Sequence, residues 1–360
     1  MSWLLCLAAG VLTFIASWTV IPGPAIWLVA IGVGGAELSP VFLVASLIVG
    51  GLAWRAGGGP RPYSMALTLI AVVIFAVPIA RYPSDAPISI RRLVVGLEDT
   101  HARITRGVAI DGTATPLTLD IYQPTSLRSS PEPHPILVQI YGGAWQRGAP
   151  GDDAAFAATI ADRGYVVFAI DYRHAPDAIW PAQIDDVRAS LSWIRRHAAG
   201  YDADPSRIAV IGRSAGAELA MVAGFTDPGV RAVISYYGPV NLANGWREPP
   251  SPDPIGARPV LEAYLGGRPD QVADRYAAAS PITHVSAHAP PTLLIYGARD
   301  HIVQATFGRA LHAALTAAGA SAQYVEIPWA DHAFDAIPGG LGGQLSLWRT
   351  EQFLGAVLKR

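Results

Sequence analysis

From about residue 100 onward, short runs of apolar and β-branched residues alternate with longer segments that have helical spacing. The short runs are typical of buried strands, and they are LTLDIY (117–122), ILVQIY (136–141), YVVFAI (165–170), IAVIG (208–212), AVISYY (232–237) and TLLIYG (292–297). The helical segments between them include DDAAFAATIADRG, QIDDVRASLSWIRRHAAG and SAGAELAMVAGF. This alternation predicts an α/β fold in which helices cover both faces of a mostly parallel sheet.

The first 80 residues follow a different pattern, because their long apolar runs carry only three charged side chains. Charge-free runs occupy 3–21 and 63–80, and a third apolar stretch, 25–54, is interrupted by Glu37. A helix that crosses a bilayer needs roughly 20 apolar residues. The middle stretch fits either one tilted helix or a tight helical hairpin, with Glu37 solvated at the turn. We therefore predict a transmembrane helical region at 1–82 with three or four spans.

The rise in charge density after Arg81 marks the main domain boundary. We assign 83–104 to a linker and 105–360 to the α/β domain. Within that domain, 239–289 contains many Pro and Gly residues and interrupts the alternation of strands and helices. This insertion forms either part of a lid over a site or a plain surface loop with one or two helices.

The arginines near the apolar runs bear on orientation in the membrane. Arg55 and Arg61 precede the last run, whereas Arg81, Arg91 and Arg92 follow it. The two groups lie on opposite sides of that span and oppose each other in the positive-inside count. The second group leads into a folded domain, where charge is a weaker guide to orientation. Of three and four spans, we favour three. We expect a multi-pass protein of the cell membrane with the C-terminal domain outside the cytoplasm.

Composition excludes several classes of function. The formal net charge is −2, so the chain lacks the strongly basic stripe of a nucleic-acid-binding protein. Cys6 is the only cysteine, which excludes an internal disulfide and a cysteine-built zinc site. The histidines lack a closely spaced ligand pattern, and we expect no metal and no cofactor. The oligomeric state stays open.

Ser214 lies in the string VIGRSAGAELAM, between Gly212 and Gly216. It is either a nucleophile on a sharp strand-to-helix turn or an ordinary small residue at such a turn. A G-x-S-x-G string alone is weak evidence, because small residues are common wherever a chain turns. Here the string follows a predicted strand, and in open α/β sheets the chemistry lies at the carboxyl ends of strands. The context therefore favours a nucleophile.

A serine hydroxyl becomes a nucleophile only when a base takes its proton and a third group orients that base. Asp300 follows the predicted strand TLLIYG by three residues, and His332 follows the strand-like run AQYVEI. The order Ser214, Asp300, His332 is the order found in α/β-hydrolases. We predict these three residues as nucleophile, acid and base.

Other candidates for acid and base fit less well. His301 is adjacent to Asp300, and Asp331 is adjacent to His332, so neither pair readily points at each other. Asp171 ends an earlier strand and is the better alternative acid. The remaining candidate histidines have no strand end directly before them, and they are His174, His197, His284, His288 and His312.

Acyl transfer also needs N–H donors for the oxyanion that develops in the transition state. One donor comes from the residue after the nucleophile, Ala215. Others are expected from a glycine-rich turn after an earlier strand, and ILVQIYGGAW supplies Gly142, Gly143 and Ala144 at such a turn. Glycine permits positive φ and a close backbone approach there.

With these motifs, 105–360 resembles the α/β-hydrolase fold carboxylesterases, in particular the hormone-sensitive-lipase-like group and its prenylcysteine-methylesterase-like neighbours. The resemblance rests on the elbow, the glycine turn, DYRHAPDAIWPAQIDDV and DADPSRIAVIGRSAGAELA. It implies oxyanion donors at Gly143, Ala144 and Ala215. It also implies either a pocket-shaping or a packing role for Trp145. Tyr141 departs from the group's usual His-Gly-Gly-Gly, which leaves the bracing of this turn open.

The sequence thus predicts a membrane-anchored serine carboxylesterase that hydrolyses a small or lipid-like ester through an acyl-enzyme. An amidase or formamidase with the same three residues is the first alternative. A catalytically inactive binding protein on a hydrolase fold is the second. The expected partners are the ester substrate and the lipid bilayer, and no nucleic acid.

Overall fold

The computed structural model describes residues 1–97, 100–111, 115–125 and 132–358. Eight strands form its single described sheet, and they are β1 (Arg103–Ile110), β2 (Leu117–Gln123), β3 (His134–Ile140), β4 (Val166–Ile170), β5 (Ala203–Arg213), β6 (Val230–Tyr236), β7 (Thr292–Gly297) and β8 (Ala322–Ile327). The spatial order is β1-β2-β4-β3-β5-β6-β7-β8. β2 is antiparallel to both of its neighbours, and every other pair is parallel. The predicted α/β sheet is confirmed.

Thirteen α-helices accompany the strands in the described part of the chain. They are α1 (Ser2–Trp18), α2 (Ile26–Glu37), α3 (Ser39–Ala56), α4 (Arg61–Ala80), α5 (Ile90–Val95), α6 (Ala154–Asp162), α7 (Ala182–His197), α8 (Ala215–Thr226), α9 (Leu242–Arg247), α10 (Ala257–Leu265), α11 (Ala273–Ala278), α12 (Ala305–Ala317) and α13 (Leu341–Leu358). The helices that flank the sheet bury apolar faces on it because β3 to β7 are apolar on both sides.

The strand register brings distant turns together at the carboxyl edge of the sheet. Ile140, the last residue of β3, lies beside Gly212 of β5. The turn after β3 and the turn after β5 are therefore neighbours. β7 and β8 end on the same side, since they run parallel to β5 and β6.

The linker and the insertion have more structure than their ranges suggest. β1 begins at Arg103, inside the range predicted as linker, and α5 also lies there. The insertion, 239–289, contains α9, α10 and α11. Its role as a lid stays a prediction.

The N-terminal region is a bundle of α1, α3 and α4, with α2 between it and the sheet domain. In the described chain, α3 and α4 are long and apolar enough to cross a membrane by length and composition, with 22% and 28% of their apolar windows buried. α1 and α2 are shorter, with 17 and 12 residues. The middle apolar stretch breaks at Leu38, directly before α3 with its early Pro40. The break separates α2 from α3.

Glu37, at the end of α2, does not face solvent as the sequence suggested. Its side chain is completely buried and accepts hydrogen bonds from the N–H groups of Gly342 and Gly343. These two residues lie in the first turn of α13, where free N–H groups favour a carboxylate. The expectation of a solvated Glu37 was wrong because its partners lie near the other end of the chain.

One end of the bundle, the near end, contacts the sheet domain, and the opposite end is called the far end. At the near end, Arg299 donates to the carbonyl of Val20, and the Tyr82 ring stacks on Trp329 at 5.8 Å. At the far end, a Cβ atom on Gly58 would lie 3.6 Å from Ser2 Oγ. The near end thus contacts the loops after β7 and β8, at the carboxyl edge of the sheet.

Candidate active site

Ser214 lies on a sharp turn between β5 and α8. Its backbone has φ 51° and ψ −119°, a strained conformation for a residue other than glycine. A Cβ atom on Gly216 would lie 2.2 Å from the carbonyl oxygen of Tyr141, and one on Gly212 would lie 2.1 Å from that of Gly216. Both glycines are therefore required for the close crossing that projects Ser214 from the edge of the sheet.

His332 and Asp300 lie next to Ser214 in hydrogen-bonding geometry. His332 Nε2 is 3.0 Å from Ser214 Oγ, and His332 Nδ1 is 2.8 Å from Asp300 Oδ2. Because the carboxylate can only accept at Nδ1, the imidazole carries its proton there and presents a free Nε2 to the serine. The structure thus brings together the three residues that the sequence predicted, and we call them the triad.

Asp300 is held by its own loop. Its Oδ1 accepts the N–H groups of Ile302 at 2.9 Å and Val303 at 2.7 Å. Burial raises the pKa of the Asp300 carboxyl above its ordinary value, while the interactions with His332 and the Val303 N–H oppose that rise. The carboxylate therefore has fixed partners on both oxygens, which orients the imidazole.

The alternative residues lie elsewhere. Asp171 accepts a hydrogen bond from the Tyr141 hydroxyl at 2.5 Å and lies in the loop after β4. His301 pairs with Asp331, with Nδ1 2.7 Å from Oδ2. Neither His301 nor Asp331 is in the Ser214 hydrogen-bond chain. The geometry favours Asp300 and His332 over these candidates.

The glycine turn after β3 lies directly against the nucleophile turn. A Cβ atom on Gly142 would lie 2.8 Å from the Arg213 carbonyl oxygen and 3.3 Å from Ser214 Cβ. Gly143 and Ala144 both have positive φ, at 129° and 55°. Ala215 is the first residue of α8, where an N–H has no partner within the helix. The three predicted oxyanion donors, Gly143, Ala144 and Ala215, thus come from two adjoining turns.

Tyr141 braces the glycine turn from the position where histidine was expected. Its hydroxyl donates to Asp171 and lies 2.9 Å from His174 Nε2. Its ring stacks on Tyr172 at 4.5 Å, and the Tyr172 hydroxyl donates to the Tyr141 carbonyl. Asp171, Tyr172 and His174 all follow β4. The loop after β4 therefore fixes the turn.

An apolar cavity of about 70 Å³ adjoins Ser214. Its wall includes Ala144 and Trp145 of the glycine turn, Leu242, Val260 and Leu261 of the insertion, and Val303 and Phe307 near α12. The insertion thus forms part of the cavity beside the triad. Trp145 lines the cavity and is also well packed, because its ring stacks on Tyr264 at 4.1 Å.

Glu218 links Trp145, which lines the cavity, to Tyr264, and the sequence pattern did not indicate this role. Glu218 Oε2 accepts the Trp145 Nε1–H at 2.8 Å and the Tyr264 hydroxyl at 3.0 Å. The side chain is fully buried, and burial raises the pKa of its carboxyl to about 8. The sequence feature that could have indicated Glu218 is its position four residues after Ser214. Residues four apart lie on the same face of a helix, so Glu218 is on the face that carries the Ser214 turn.

A second group missed by the sequence analysis lies on the other side of Ser214. The buried guanidinium of Arg213 contacts Asp335 at 2.5 Å and Asp153 at 3.3 Å. Tyr237 donates to Asp335, and its ring lies 4.6 Å from the His332 ring. These contacts join β5, β6 and the loop after β8. They hold the turns that carry Ser214 and His332 against each other.

The sheet order together with a Ser-His-Asp arrangement at the carboxyl edge defines an α/β-hydrolase. More narrowly, the chain belongs to the BD-FAE family, whose model matches residues 119–315. The expected resemblance to α/β-hydrolase carboxylesterases is confirmed by these matches and those below.

Two curated relatives are esterases of Mycobacterium tuberculosis. The chain is 32% identical to the esterase LipQ over 241 residues, which covers 63% of this chain and 56% of LipQ. It is 32% identical to the probable carboxylic ester hydrolase LipM over 239 residues, which covers 62% of this chain and 54% of LipM. The chain thus spans little more than half the length of these relatives.

Solved structures share the fold. A truncated carbohydrate esterase from gut microbiota matches with a TM-score of 0.63 at 26% identity, covering 73% of this chain and 99% of that one. The bacterial heroin esterase has the same TM-score at 23% identity.

Proposed function

We propose that this protein is a serine hydrolase that cleaves carboxylic ester bonds. The observation that carries the proposal is the hydrogen-bond chain from Ser214 Oγ through His332 to Asp300. Relatives named as esterases support the choice of an ester as substrate. The neighbouring glycine turn supports acyl transfer in particular, since it offers backbone donors beside the nucleophile.

In the proposed reaction, His332 Nε2 takes the proton of Ser214 as Oγ attacks the ester carbonyl carbon. The oxyanion then accepts hydrogen bonds from the N–H groups of Gly143, Ala144 and Ala215. Collapse of this intermediate breaks the C–O bond to the alcohol, which leaves with the proton held by His332. Water, deprotonated by His332, attacks the acyl-serine and releases the acid, and Ser214 regains its proton.

The lining of the cavity beside Ser214 indicates the kind of group that it accepts. Its lining by Val260, Leu261 and Phe307 suits an apolar group. The substrate therefore places an apolar group there.

Membrane anchoring is the second part of the proposal, and the arrangement of side chains in the bundle supports it. Large apolar side chains of α1, α3 and α4 point outward, such as Leu7 (65% exposed), Leu47 (57%) and Leu69 (64%). Small or hydroxylated residues such as Ser64 and Thr68 point inward, together with Phe75. Small interface residues and outward apolar residues are typical of helices packed in lipid. α1, α3 and α4 are the three proposed spans.

The direction of the bundle bears on the side that the catalytic domain occupies. Its far end carries Arg55 and Arg61 in the short connection between α3 and α4. Arginines in short connections favour the cytoplasmic side, whereas a folded domain is translocated largely regardless of its charge. The catalytic domain then lies outside the cytoplasm. Protease treatment of intact spheroplasts should degrade it, and full protection would reverse this orientation.

The proposed site faces the membrane, because the near end of the bundle contacts the same edge of the sheet that carries Ser214. α5 lies at this end with Ile90 (75% exposed), Val94 (72%) and Val95 (70%). Exposed apolar residues beside Arg91 suit the interface between lipid and water. This placement supports an ester that resides in the membrane surface.

The full chain in detergent micelles tests the proposed activity. It should hydrolyse p-nitrophenyl acetate and react with a fluorophosphonate probe, and Ser214→Ala should do neither. An aryl formamide assayed in parallel tests the amidase alternative. Faster turnover of the formamide would replace ester by amide as the substrate. No turnover and no labelling would indicate a binding protein on a hydrolase fold.

A further inference from the structure

The loop that carries Asp300 contacts the connection between α1 and α2, residues 19–25. Arg299 donates to the carbonyl of Val20, and His301 Nε2 lies 3.2 Å from the carbonyl oxygen of Gly23. These two contacts flank Asp300 on both sides. The N-terminal region therefore directly contacts the loop that carries Asp300, the acid of the triad.

The two neighbours of the His301 ring favour a doubly protonated imidazole. Its Nδ1 is 2.7 Å from Asp331 Oδ2, and its Nε2 faces the Gly23 carbonyl oxygen. Both partners are acceptors, and a neutral imidazole has only one N–H to donate. The imidazolium carries an N–H toward each of them, and its positive charge pairs with the Asp331 carboxylate.

The charged groups around His301 agree with this protonation state. Burial lowers the pKa of His301, but its hydrogen bond with Asp331 and the charges of Asp331 and Asp300 outweigh burial and raise the pKa above its ordinary value. Arg299 is the neighbouring cation in the same loop. The connection 19–25 contains no titratable side chain and presents only the Gly23 carbonyl to the ring.

Asp331 extends this contact to the base of the triad. Its Oδ1 accepts the backbone N–H of His332 at 2.7 Å and that of His301 at 3.3 Å. One carboxylate thus joins the His301 ring to the backbone that carries the His332 imidazole. The path runs from Gly23 through His301 and Asp331 to His332.

We propose that the connection between α1 and α2 helps to fix the geometry of the active site. Protonated His301 is the positioning residue through which this connection acts. Gly23 and Asp331 fix the orientation of the His301 ring. The ring in turn keeps the loop that carries Asp300 in place relative to the loop that carries His332. Loss of the Nε2 proton places a lone pair against the Gly23 carbonyl and releases the connection. The inference rests on the proposed serine hydrolase mechanism.

The test compares pH profiles of kcat and KM for p-nitrophenyl acetate, using the full chain in detergent. The wild type should lose kcat several-fold in the alkaline range, as His301 loses its proton, with KM unchanged because His301 does not line the cavity. His301→Gln should lower kcat roughly tenfold at neutral pH, the scale of a modest misplacement of catalytic groups.

Asp331→Asn is the matched variant. Its amide N–H donates to His301 Nδ1, so a neutral ring keeps its single proton on Nε2 for Gly23. Its carbonyl oxygen still accepts the N–H of His332. The variant should lose the alkaline decline in kcat, a result that a merely structural role would not produce.

An unchanged alkaline decline in Asp331→Asn overturns the inference, as does wild-type kcat in His301→Gln. Thermal unfolding of each variant separates misfolding from misplacement, and a folded His301→Gln with low kcat supports the inference. Failure of the proposed function is seen separately, as activity that survives in Ser214→Ala.

Discussion

The helices α4 and α8 are both strongly apolar, yet they face opposite surroundings. α8 buries every residue of 215–224 between the sheet and its neighbours. α4 buries Ser64 and Thr68 and leaves Leu69 and Val73 more than half exposed. Apolar content alone therefore does not distinguish a core helix from a helix that directs large apolar side chains outward.

The largest expected effect comes from substitutions in the catalytic residues of the hydrolase domain, and it is a loss of kcat. Ser214→Ala or His332→Ala should reduce kcat at least about a thousandfold, because the two residues act as one unit. Hydrolysis of p-nitrophenyl acetate measures the effect, with Ser206→Ala, at an exposed serine of the same domain, as the control. The double variant should be no worse than either single one. Additive losses would contradict the triad.

A charge placed on the outward face of α4 tests whether that face meets lipid. Val73→Arg should disfavour insertion by about 3 kcal/mol, the cost of arginine near the middle of a membrane helix. The fraction of protein that alkaline carbonate releases from membranes should rise accordingly. Ala317→Arg, on the exposed surface of α12, should release no more than the wild type. Equal release by both variants would make α4 a water-facing helix.

The interior of the bundle can be tested at two adjacent glycines of α3. A Cβ atom on Gly50 would lie 3.3 Å from Thr68 Oγ1, whereas one on Gly51 would meet nothing within 4 Å. Gly50→Val should destabilise the packing of α3 on α4 by about 1–3 kcal/mol, the usual cost of overpacking. Gly51→Val should leave it unchanged. Thermal denaturation in detergent compares the stability of the two variants. A larger destabilisation at Gly51 would show that Gly51, and not Gly50, faces α4.

The smallest expected effect concerns the buried acid of the hydrolase domain. The pKa of Glu218 is raised to about 8, so its stabilising proton is bound at low pH and lost as the pH rises through that value. The Tm of the wild type should therefore fall by a few degrees between about pH 5 and about pH 8, compared with Glu218→Gln. Parallel Tm curves for the two proteins would show that Glu218 does not titrate in this range.

The sequence predicted the strands of the sheet interior well, because β3 to β7 are continuous apolar runs. β1 was missed since it is an edge strand in which only Ile110 is buried, and its sequence RITRGVAI has no clear alternation. α7 and α8 were predicted from helical spacing. The break between α2 and α3 was left open because apolar runs do not mark where a helix turns.

The order of Ser214, Asp300 and His332 along the chain pointed to three residues that the fold brings within hydrogen-bonding distance. Their supports could not be selected in this way. Tyr141 depends on Asp171 and His174, and Trp145 depends on Glu218, and each pairing is set by how separate loops meet at the edge of the sheet. Such contacts depend on the assembled fold, and no local sequence pattern predicts them.

The burial of Glu37 against α13 has a consequence for biosynthesis. Its hydrogen-bond partner Gly342 lies 305 residues later in the chain. At a translation rate of about 5–20 residues per second, the ribosome needs roughly 15–60 seconds to reach that partner. During this interval the helices have left the ribosome while the carboxyl group of Glu37 still lacks its donors. Docking of α2 onto the hydrolase domain must therefore be among the last steps of assembly.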